Sequence, residues 1–322
     1  MFLRATRKYM DDREAYLLNG LVQRHFQVGR ILRFRNVRRG CQCRCVEIYT
    51  TEQRAFMLLI YPHSYLPTSL DAGGRESNAL AEATFPSLRF VAPATGGRGL
   101  VVDGPQGTHL MMAQFPPGQA MAAENWSLQD LSQLGLRMAW MHRMMHEQPR
   151  PGNRESTGKA LSRLLDEPSP RRDALLNLME ARALESFVRA SVQLPPLDGW
   201  VHGGISAESM LLDDDRQITA LMDWGLTGRG SSCEDAVDVF VHWCVDEHGQ
   251  VRSAEARAFL EAFLSLARPR APAWDAVVSH WCARQLYYAL LGHRQLPRGF
   301  GSIVANPHFL STAIALCHNK SA

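Results

Sequence analysis

Polar side chains that could carry out chemistry are concentrated in residues 200–225, WVHGGISAESMLLDDDRQITALMDWG. A hydrolytic triad could combine His202 and Asp223 with a serine nucleophile, either Ser206 or Ser209. The GxSxG turn that exposes such a serine in one large class of hydrolases is absent from the segment. The hydrolase interpretation is therefore disfavoured. The function of the segment has to be inferred from the composition of the chain and from the predicted elements around it.

The composition limits the partners of the chain. A net charge of +3 over 322 residues, with no run of Lys and Arg interleaved with aromatic residues, argues against nucleic acid as a main partner. No window approaches about 18 uninterrupted apolar residues, and the N-terminus lacks the apolar core of an export signal. We therefore expect a cytoplasmic protein that does not enter the membrane. Seven cysteines, an odd number, indicate reduced thiols rather than a disulfide framework.

Lysine is scarce although the chain is basic. Of the 35 Lys and Arg residues, only Lys8, Lys159 and Lys320 are lysines. A mechanism that needs a lysine in a particular strand therefore has almost no candidates.

The first part of the chain has the pattern of a sheet with helices. Apolar residues at helical spacing predict a helix over 11–26, and alternation after Gly29 predicts three antiparallel strands, the first from Ile31 and the others in CQCRCVEIYT and AFMLLIY. A helical stretch around Glu76 to Ala83 follows. Two further strands are predicted in FVAPATGGRGLVVDGPQGTHLMMAQFPPGQA, with a chain reversal at Pro116 to Gly118. These elements predict a five-stranded sheet with one helix.

From Asn125 onward the pattern is mostly helical. Apolar residues recur every three or four positions in LQDLSQLGLRMAWMHRMMHE and in ALLNLMEARALESFVRASVQL, with a polar, Pro-containing break near 148–170 between them. Further helices are predicted at 234–246, 253–268, 273–292 and 306–318.

Five local patterns occur together in the order of one superfamily. HGGISAES, followed by a hairpin and Asp223, is similar to a segment HGDxxxxN and the Asp after it. LGLRMAWMH at 134–142 is similar to the helix LGxxLAxLH, and SSCEDAV resembles the helix start GDPxxDLA, with Asp235 on the family's Asp. AQFPPG at 113–118 is similar to a hinge that holds adenine. The chain thus resembles the aminoglycoside phosphotransferase, choline kinase and homoserine kinase-like superfamily over about residues 15–320.

The resemblance implies an α+β, bilobal protein kinase-like fold. Residues 1–115 would form an N-terminal lobe with a five-stranded antiparallel sheet and a helix. Residues 116–322 would form a mainly helical C-terminal lobe that carries the catalytic-loop hairpin. Phosphoryl transfer in such a fold needs clamped phosphates, one or two Mg²⁺ ions and a carboxylate that orients the acceptor hydroxyl.

Three of the positions that carry this work in the family are changed. The carboxylate position is Gly204, and loss of a general base costs about 10²- to 10⁴-fold in rate. The second metal-binding position, an Asn in the family, is Ser209, whose hydroxyl can ligate Mg²⁺ but has a shorter reach. The phosphate-clamping Lys or Arg of the third strand is replaced by Leu59. Asp223 remains at the position of the metal-binding Asp.

The other nucleotide-binding positions implied by the resemblance are incomplete. Glu76 is the best candidate for the helix carboxylate that would pair with the missing basic residue. Gly40 is the one glycine in the loop RRGCQCRC, whereas loops whose amides approach phosphates usually contain two or more. Arg38, Arg39 and Arg44 could partly compensate as phosphate ligands, and Gln114 lies in the adenine hinge.

The lost carboxylate has possible substitutes. Glu208 lies in the loop itself and has the better chance, while the aspartates 213–215 lie in the hairpin turn, where an Asp run is typical of solvated turn chemistry. Asp223 could also be structural and brace a turn.

Three further features have two interpretations each. The cysteines at 41, 43 and 45 could start a zinc site if a fourth ligand were near, but strand packing is the simpler interpretation. His142 and His202 are expected to be packed histidines rather than ligands or reacting groups. The loop GHRQLPRGFGS at 292–302 could bind an anion or simply be a soluble surface.

The sequence therefore indicates a kinase-fold protein with a degraded active site, a pseudokinase that binds a small-molecule ligand or a protein partner in the former kinase cleft. ATP and Mg²⁺ are expected as cofactors only if phosphotransfer is retained. One alternative is an atypical ATP-dependent small-molecule phosphotransferase that uses Glu208, Ser209 and Asp223. Another is a cleft adapted to different chemistry on a biosynthetic intermediate. Apolar side chains filling the phosphate space around Leu59 would close the nucleotide site.

Overall fold

The computed structural model describes residues 12–37, 43–94, 99–146, 157–177, 199–246, 248–267, 274–293, 296–297, 300, 303 and 307–319. The chain forms two compact units. The first comprises Met1–Met121 and Ala207–Thr227, and the second comprises Ala122–Ser206 and Gly228–Ala322. The predicted boundary at 115/116 lies close to the first division, but the hairpin that was expected in the C-terminal lobe groups with the N-terminal unit.

A five-stranded antiparallel sheet forms the centre of the first unit, as predicted. Its strands occur in the order β1-β2-β3-β5-β4, and two helices accompany them. These elements are α1 (Asp12–His25), β1 (Ile31–Val37), β2 (Arg44–Thr50), β3 (Ala55–Tyr61), α2 (Pro67–Glu82), β4 (Val102–Asp103) and β5 (His109–Gln114).

One face of this sheet packs against α1. Alternating side chains of a strand point to opposite faces, so Phe56 and Leu58 share one face of β3 and Met57, Leu59 and Tyr61 share the other. The first face builds a core with α1 from Leu18, Val22, Phe26, Val46, Ile48, Phe56, Leu58, Leu110 and Met112. We call the opposite side the Leu59 face; by strand register it carries Arg33, Arg35, Cys45, Glu47, Tyr49, Met57, Leu59, Tyr61, Met111 and Ala113.

Helix α2 packs against the Leu59 face. It begins at Pro67, whose fixed φ and missing N–H suit the first helical turn, and is longer than the predicted stretch around 76–83. A Cβ on Gly74 would lie 2.6 Å from Cε of Met111, so the helix approaches β5 closely. In the described part of the segment before β4, isolated bridges join Ser87 to Leu221 and Phe90 to Ala113.

The predicted hairpin is present and joins a small sheet. Its strands β8 (Met210–Leu212) and β9 (Ile218–Leu221) pair with each other, and β8 also pairs with β6 (Gln119–Ala120). This pairing explains why the hairpin belongs to the first unit. Backbone and side-chain bonds from residues 216 and 217 to Asp213 close the turn, and Asp214 and Asp215 are exposed. The three aspartates are thus turn residues.

Helices dominate the second unit. The helices predicted after residue 225 are confirmed, and helix α4 lies within the stretch 148–170 that was expected to be a break. Residues 178–194 of the predicted helical segment 174–194 lie outside the described residues. The elements are α3 (Leu128–His146), α4 (Thr157–Asp166), α5 (Pro170–Asn177), the strand pair β7 (Gly199–Val201) and β10 (Gly228–Gly230), α6 (Ser232–Trp243), α7 (Ser253–Ala267), α8 (Trp274–Leu291) and α9 (Pro307–Asn319).

No helix within the described ranges is long and apolar enough to cross a membrane.

Close packing of α3 on α7 depends on Gly135. An added Cβ at this position would lie 2.5 Å from the Phe259 carbonyl oxygen, so Gly135→Ala should lower the free energy of unfolding by about 1 to 3 kcal/mol. Gly20→Ala is the matched control: apart from the neighbouring backbone of α1, no described atom lies within 4 Å of the added Cβ, and the change should raise stability by about 0.4 to 1 kcal/mol. Urea denaturation measures both effects. Equal stability of Gly135→Ala and the wild type would contradict this packing.

Candidate functional site

The hairpin of the first unit brings the backbones of the two predicted cation ligands, Ser209 and Asp223, close together. The backbone N–H of Met222 donates to the Ser209 carbonyl oxygen at 2.8 Å, which places Ser209 beside the end of β9, where Asp223 follows. Both residues are fully buried. Asp223 has left-handed backbone angles, φ 64° and ψ 40°, a region that Asp tolerates better than most residues. Such a conformation is maintained only where the surroundings fix it.

Helix α2 and strand β3 provide those surroundings. A Cβ on Gly73 would lie 2.0 Å from the Trp224 carbonyl oxygen, so only glycine permits this approach of α2. A Cβ on Gly225 would meet Tyr61 and Tyr65 at 2.9 and 3.1 Å. The Trp224 indole N–H also donates to the Leu221 carbonyl at 2.9 Å. The backbone on both sides of residue 223 is therefore held by packing within the first unit.

Within the described part of the chain, a phenol and a thiol, those of Tyr61 and Cys43, interact electrostatically with Asp223. Burial, followed by the charges of Cys43 and Asp223, raises the pKa of Tyr61 well above its usual value. The sulfur atoms of Cys43 and Cys45 lie 3.8 Å apart, and this contact, followed by burial, raises the pKa of Cys43. Tyr61 and Cys43 therefore stay neutral near pH 7. Among the described residues no three His, Cys, Asp or Glu side chains form a metal-binding group, and Cys41 lies outside them.

Leu59 takes the position of the predicted phosphate clamp and is fully buried. Its Cα partners across the sheet are Cys45 on β2 and Met111 on β5, which are each 1% exposed. Glu76 in α2, predicted to pair with a basic residue at 59, is 6% exposed. The two strand residues that flank Leu59 across the sheet, Cys45 and Met111, are thus weakly polar or apolar.

The next row of the Leu59 face contains a buried charge. Met57 is fully buried and has Glu47 and Ala113 as its Cα partners. Glu47 is 1% exposed and forms an ion pair with Arg35 on β1. This row lies between Leu59 and the end of the sheet from which the predicted adenine hinge continues.

The hinge amides are engaged inside the first unit. The N–H of Gln114 donates to the Arg89 carbonyl at 2.8 Å, and the N–H of Phe115 donates to the Ala55 carbonyl at 3.0 Å. The side chain of Gln114 is exposed. These two backbone donors are therefore already satisfied by protein carbonyls.

Arg44, a predicted phosphate ligand, lies on the face of the sheet opposite to Leu59. Its guanidinium forms an ion pair with Glu14 of α1 and donates to Asn36. The physical reason is strand alternation, because Arg44 and Cys45 are neighbours and must point to opposite faces. The predicted phosphate residues Arg38 and Gly40 lie outside the described residues. Glu208 is exposed in a short turn before β8.

In the second unit, Asp235 braces the loop that contains Gly204. Its carboxylate accepts hydrogen bonds from the backbone N–H groups of His202, at 2.7 Å, and Gly203, at 2.9 Å. Nε2 of His142 lies 3.3 Å from the same carboxylate. Burial would raise the pKa of Asp235, but the hydrogen bond and charge of His142 and the charges of Arg284 and His202 lower it to about 2. Both histidines are buried, consistent with the structural roles expected for them.

A buried charge network joins α6 to α8, and it was not predicted. Glu234 lies 2.7 Å from Nδ1 of His280 and 3.0 Å from Nη1 of Arg284. Asp238 accepts hydrogen bonds from Trp281 and Gln285, at 2.7 and 3.1 Å. Burial would lower the pKa of Arg284, but the two carboxylates outweigh it and raise the pKa. Acidic and basic residues spaced four apart on two predicted helices were the sequence signal for this network.

A family model described as the phosphotransferase enzyme family matches residues 34–274. The chain belongs to this phosphotransferase family. Solved structures support the same fold, and a comparison of the sequence with curated proteins found no match.

Three of these structures are informative for the fold. The amicoumacin kinase in complex with AMP-PNP and Ca²⁺ has 15% identity and a TM-score of 0.63, and covers 96% of this chain and 94% of that one. A microcompartment-associated aminopropanol kinase has 17% identity and a TM-score of 0.62, with 94% and 96% covered. The spectinomycin phosphotransferase in complex with ADP and spectinomycin has 14% identity and a TM-score of 0.56, with 96% and 94% covered. Identities of this size establish the kinase-like fold alone.

Protonation of Asp235 should destabilise this phosphotransferase-family protein at low pH. A carboxyl group whose pKa is lowered on folding stabilises the folded state at pH values above its usual pKa of 3.8. This stabilisation is lost as the pH falls through the folded-state pKa of about 2. Between pH 4 and pH 2 the wild type should therefore lose about 2 kcal/mol more unfolding free energy than Asp235→Asn, which is already less stable. Urea denaturation at a series of pH values measures the difference. Asp214→Asn, in the exposed turn, is the control and should show the same pH dependence of unfolding free energy as the wild type. The same pH dependence in Asp235→Asn would contradict a stabilising role of the Asp235 carboxylate.

Proposed function

We propose that this member of the phosphotransferase family is a pseudokinase, which binds a small-molecule ligand or a partner without transferring phosphate. The observation that carries the proposal is the fully buried Leu59 at the position of the phosphate clamp, flanked by Cys45 and Met111. A polyphosphate requires cationic partners when it leaves water, since an uncompensated buried charge is strongly unfavourable. Lys8 and Lys159 are the nearest lysines in sequence, so no lysine in β3 can substitute.

The purine side of a nucleotide site is also unfavourable. A purine needs a flat apolar surface and hydrogen-bonding groups that are free at its edge. The row of the sheet next to Leu59 contains Met57 and the buried carboxylate of Glu47. The N–H groups of Gln114 and Phe115 already donate to protein carbonyls. These contacts support a site that does not recognise adenine.

The chemistry of transfer would lack its general base. Gly204 has no side chain to accept or orient a proton, which alone costs about 10²- to 10⁴-fold in rate. Glu208, its best substitute, is exposed in a turn rather than held in place. Loss of the clamp and of the base together supports a loss of turnover rather than one tolerated substitution.

One observation favours the second candidate function, an atypical phosphotransferase. Asp223 is fully buried, held in a left-handed conformation and adjacent to Ser209, which suits a retained cation site. In that case Asp223 and Ser209 would hold Mg²⁺ and Glu208 would orient the acceptor.

Calorimetry with ATP and Mg²⁺, using Asp223→Asn as the control, tests the two functions. We expect no saturable binding up to about 1 mM nucleotide, the upper end of ordinary substrate affinities. We also expect no ADP formation with spectinomycin, hygromycin B, amicoumacin or aminopropanol as acceptors, the compounds bound or phosphorylated by structural relatives.

Binding that Asp223→Asn abolishes, together with ADP formation that requires an acceptor, would contradict the pseudokinase. Loss of that turnover in Glu208→Gln, with binding unchanged, would then assign the general base. Binding without turnover would leave a pseudokinase that uses a nucleotide as its ligand.

A further inference from the structure

Two arginines project from the edge strand β1 onto the Leu59 face. Arg33 and Arg35 are two residues apart, so they share a face, and their Cα partners on β2 are Tyr49 and Glu47. β1 is the outermost strand of the sheet in the described part of the chain. Neither arginine belongs to the positions that the family resemblance singled out.

Arg33 has an aromatic partner and no acidic one. Its guanidinium carbon lies 4.5 Å from the centroid of the Tyr49 ring, and no described carboxylate pairs with it. Stacking fixes the plane of a guanidinium while its N–H groups at the edge stay available. Arg33 is exposed, so these donors can be reached from solvent.

Arg35 is held by a buried carboxylate. One guanidinium nitrogen pairs with Glu47, which is 1% exposed, while the Arg35 side chain is 24% exposed. A hydrogen bond from Tyr49 to Glu47, followed by burial, raises the pKa of Tyr49, so the tyrosine remains a donor to the carboxylate. The Nε–H of Arg35 is buried and has no hydrogen-bond partner among the described residues.

This arrangement orients the arginines more than it stabilises the sheet. A buried ion pair contributes little net stability, because desolvation offsets the attraction. Edge strands often carry charges that prevent association, but such charges need only to face solvent and do not require a buried carboxylate. The ion pair of Glu47 with Arg35 and the ring contact of Tyr49 with Arg33 instead hold the two guanidinium groups in place on one face of the sheet.

We infer that Arg33 and Arg35 bind the anionic group of this protein's ligand, a carboxylate or a phosphate. The inference rests on the proposed function, since it assigns an anionic ligand to the same sheet face that lacks the family's clamp. Guanidinium groups recognise both anions through paired N–H donors. The cationic groups lie on β1 rather than at position 59 of β3.

Calorimetry with acetate and with inorganic phosphate, at constant ionic strength and without Mg²⁺, tests the site. Wild-type protein should bind at least one of the two saturably, and the preferred probe identifies the anion. Arg33→Ala should weaken this binding about 10- to 100-fold, the loss expected for hydrogen bonds between charged groups. Arg24→Ala is the matched control, since Arg24 is exposed on α1, which packs against the other face, and should leave the affinity unchanged.

The double variant Arg35→Met/Glu47→Leu removes the buried pair without changing the net charge and should remain folded. We expect it to weaken anion binding to a similar degree. Unchanged affinity in this variant, equal losses in Arg33→Ala and Arg24→Ala, or no saturable binding of either anion to the wild type would overturn the inference. Because the probes need neither Mg²⁺ nor turnover, these outcomes are independent of those that would overturn the pseudokinase proposal.

Discussion

The close approach of α2 to the segment after Asp223 is the constraint on which the first unit depends. The Trp224 carbonyl oxygen occupies the place of a side chain on residue 73, so a glycine at that position is a packing requirement. Tyr61 and Tyr65 restrict Gly225 from β3 and the loop after it. A left-handed Asp223 costs about 1 to 3 kcal/mol, and this packing is what holds it. The backbone position of Asp223 is therefore fixed by the packing of the first unit.

In the second unit, too, the groups that hold the loop backbone are distinct from the side chain that would take part in the reaction. Asp235 holds its loop through the backbone N–H groups of His202 and Gly203, and those donors do not depend on the side chain at 204. Replacing the carboxylate at 204 by glycine leaves every one of these bonds in place. This is a physical route by which a phosphotransferase fold can lose a reacting group and keep its loop. The motif remains recognisable because the backbone still requires it.

Sequence patterns predicted the sheet and most helices because burial enforces their periods. They did not assign the faces of β3, since AFMLLIY is apolar throughout and only its register with β2 distinguishes Leu58 from Leu59. The same register places Arg44 on the face opposite to Leu59, which the sequence alone did not specify. The network of Glu234 and Arg284 was missed because its partners lie on separate helices, and single-helix periodicity cannot reveal which faces meet.

The position of charge on the Leu59 face determines which ligands it suits. A cation at the centre of the sheet can neutralise a polyphosphate that is removed from water, whereas Leu59 cannot. Arg33 at the edge can contact a small anion that stays partly hydrated, which avoids most of that desolvation cost. Glu47 disfavours a purine. A base placed over Met57 would have to cover the Glu47 carboxylate, which already pairs with Arg35. Under the proposed function, a ligand with one anionic group and no purine would satisfy both constraints, whereas a nucleoside triphosphate would satisfy neither.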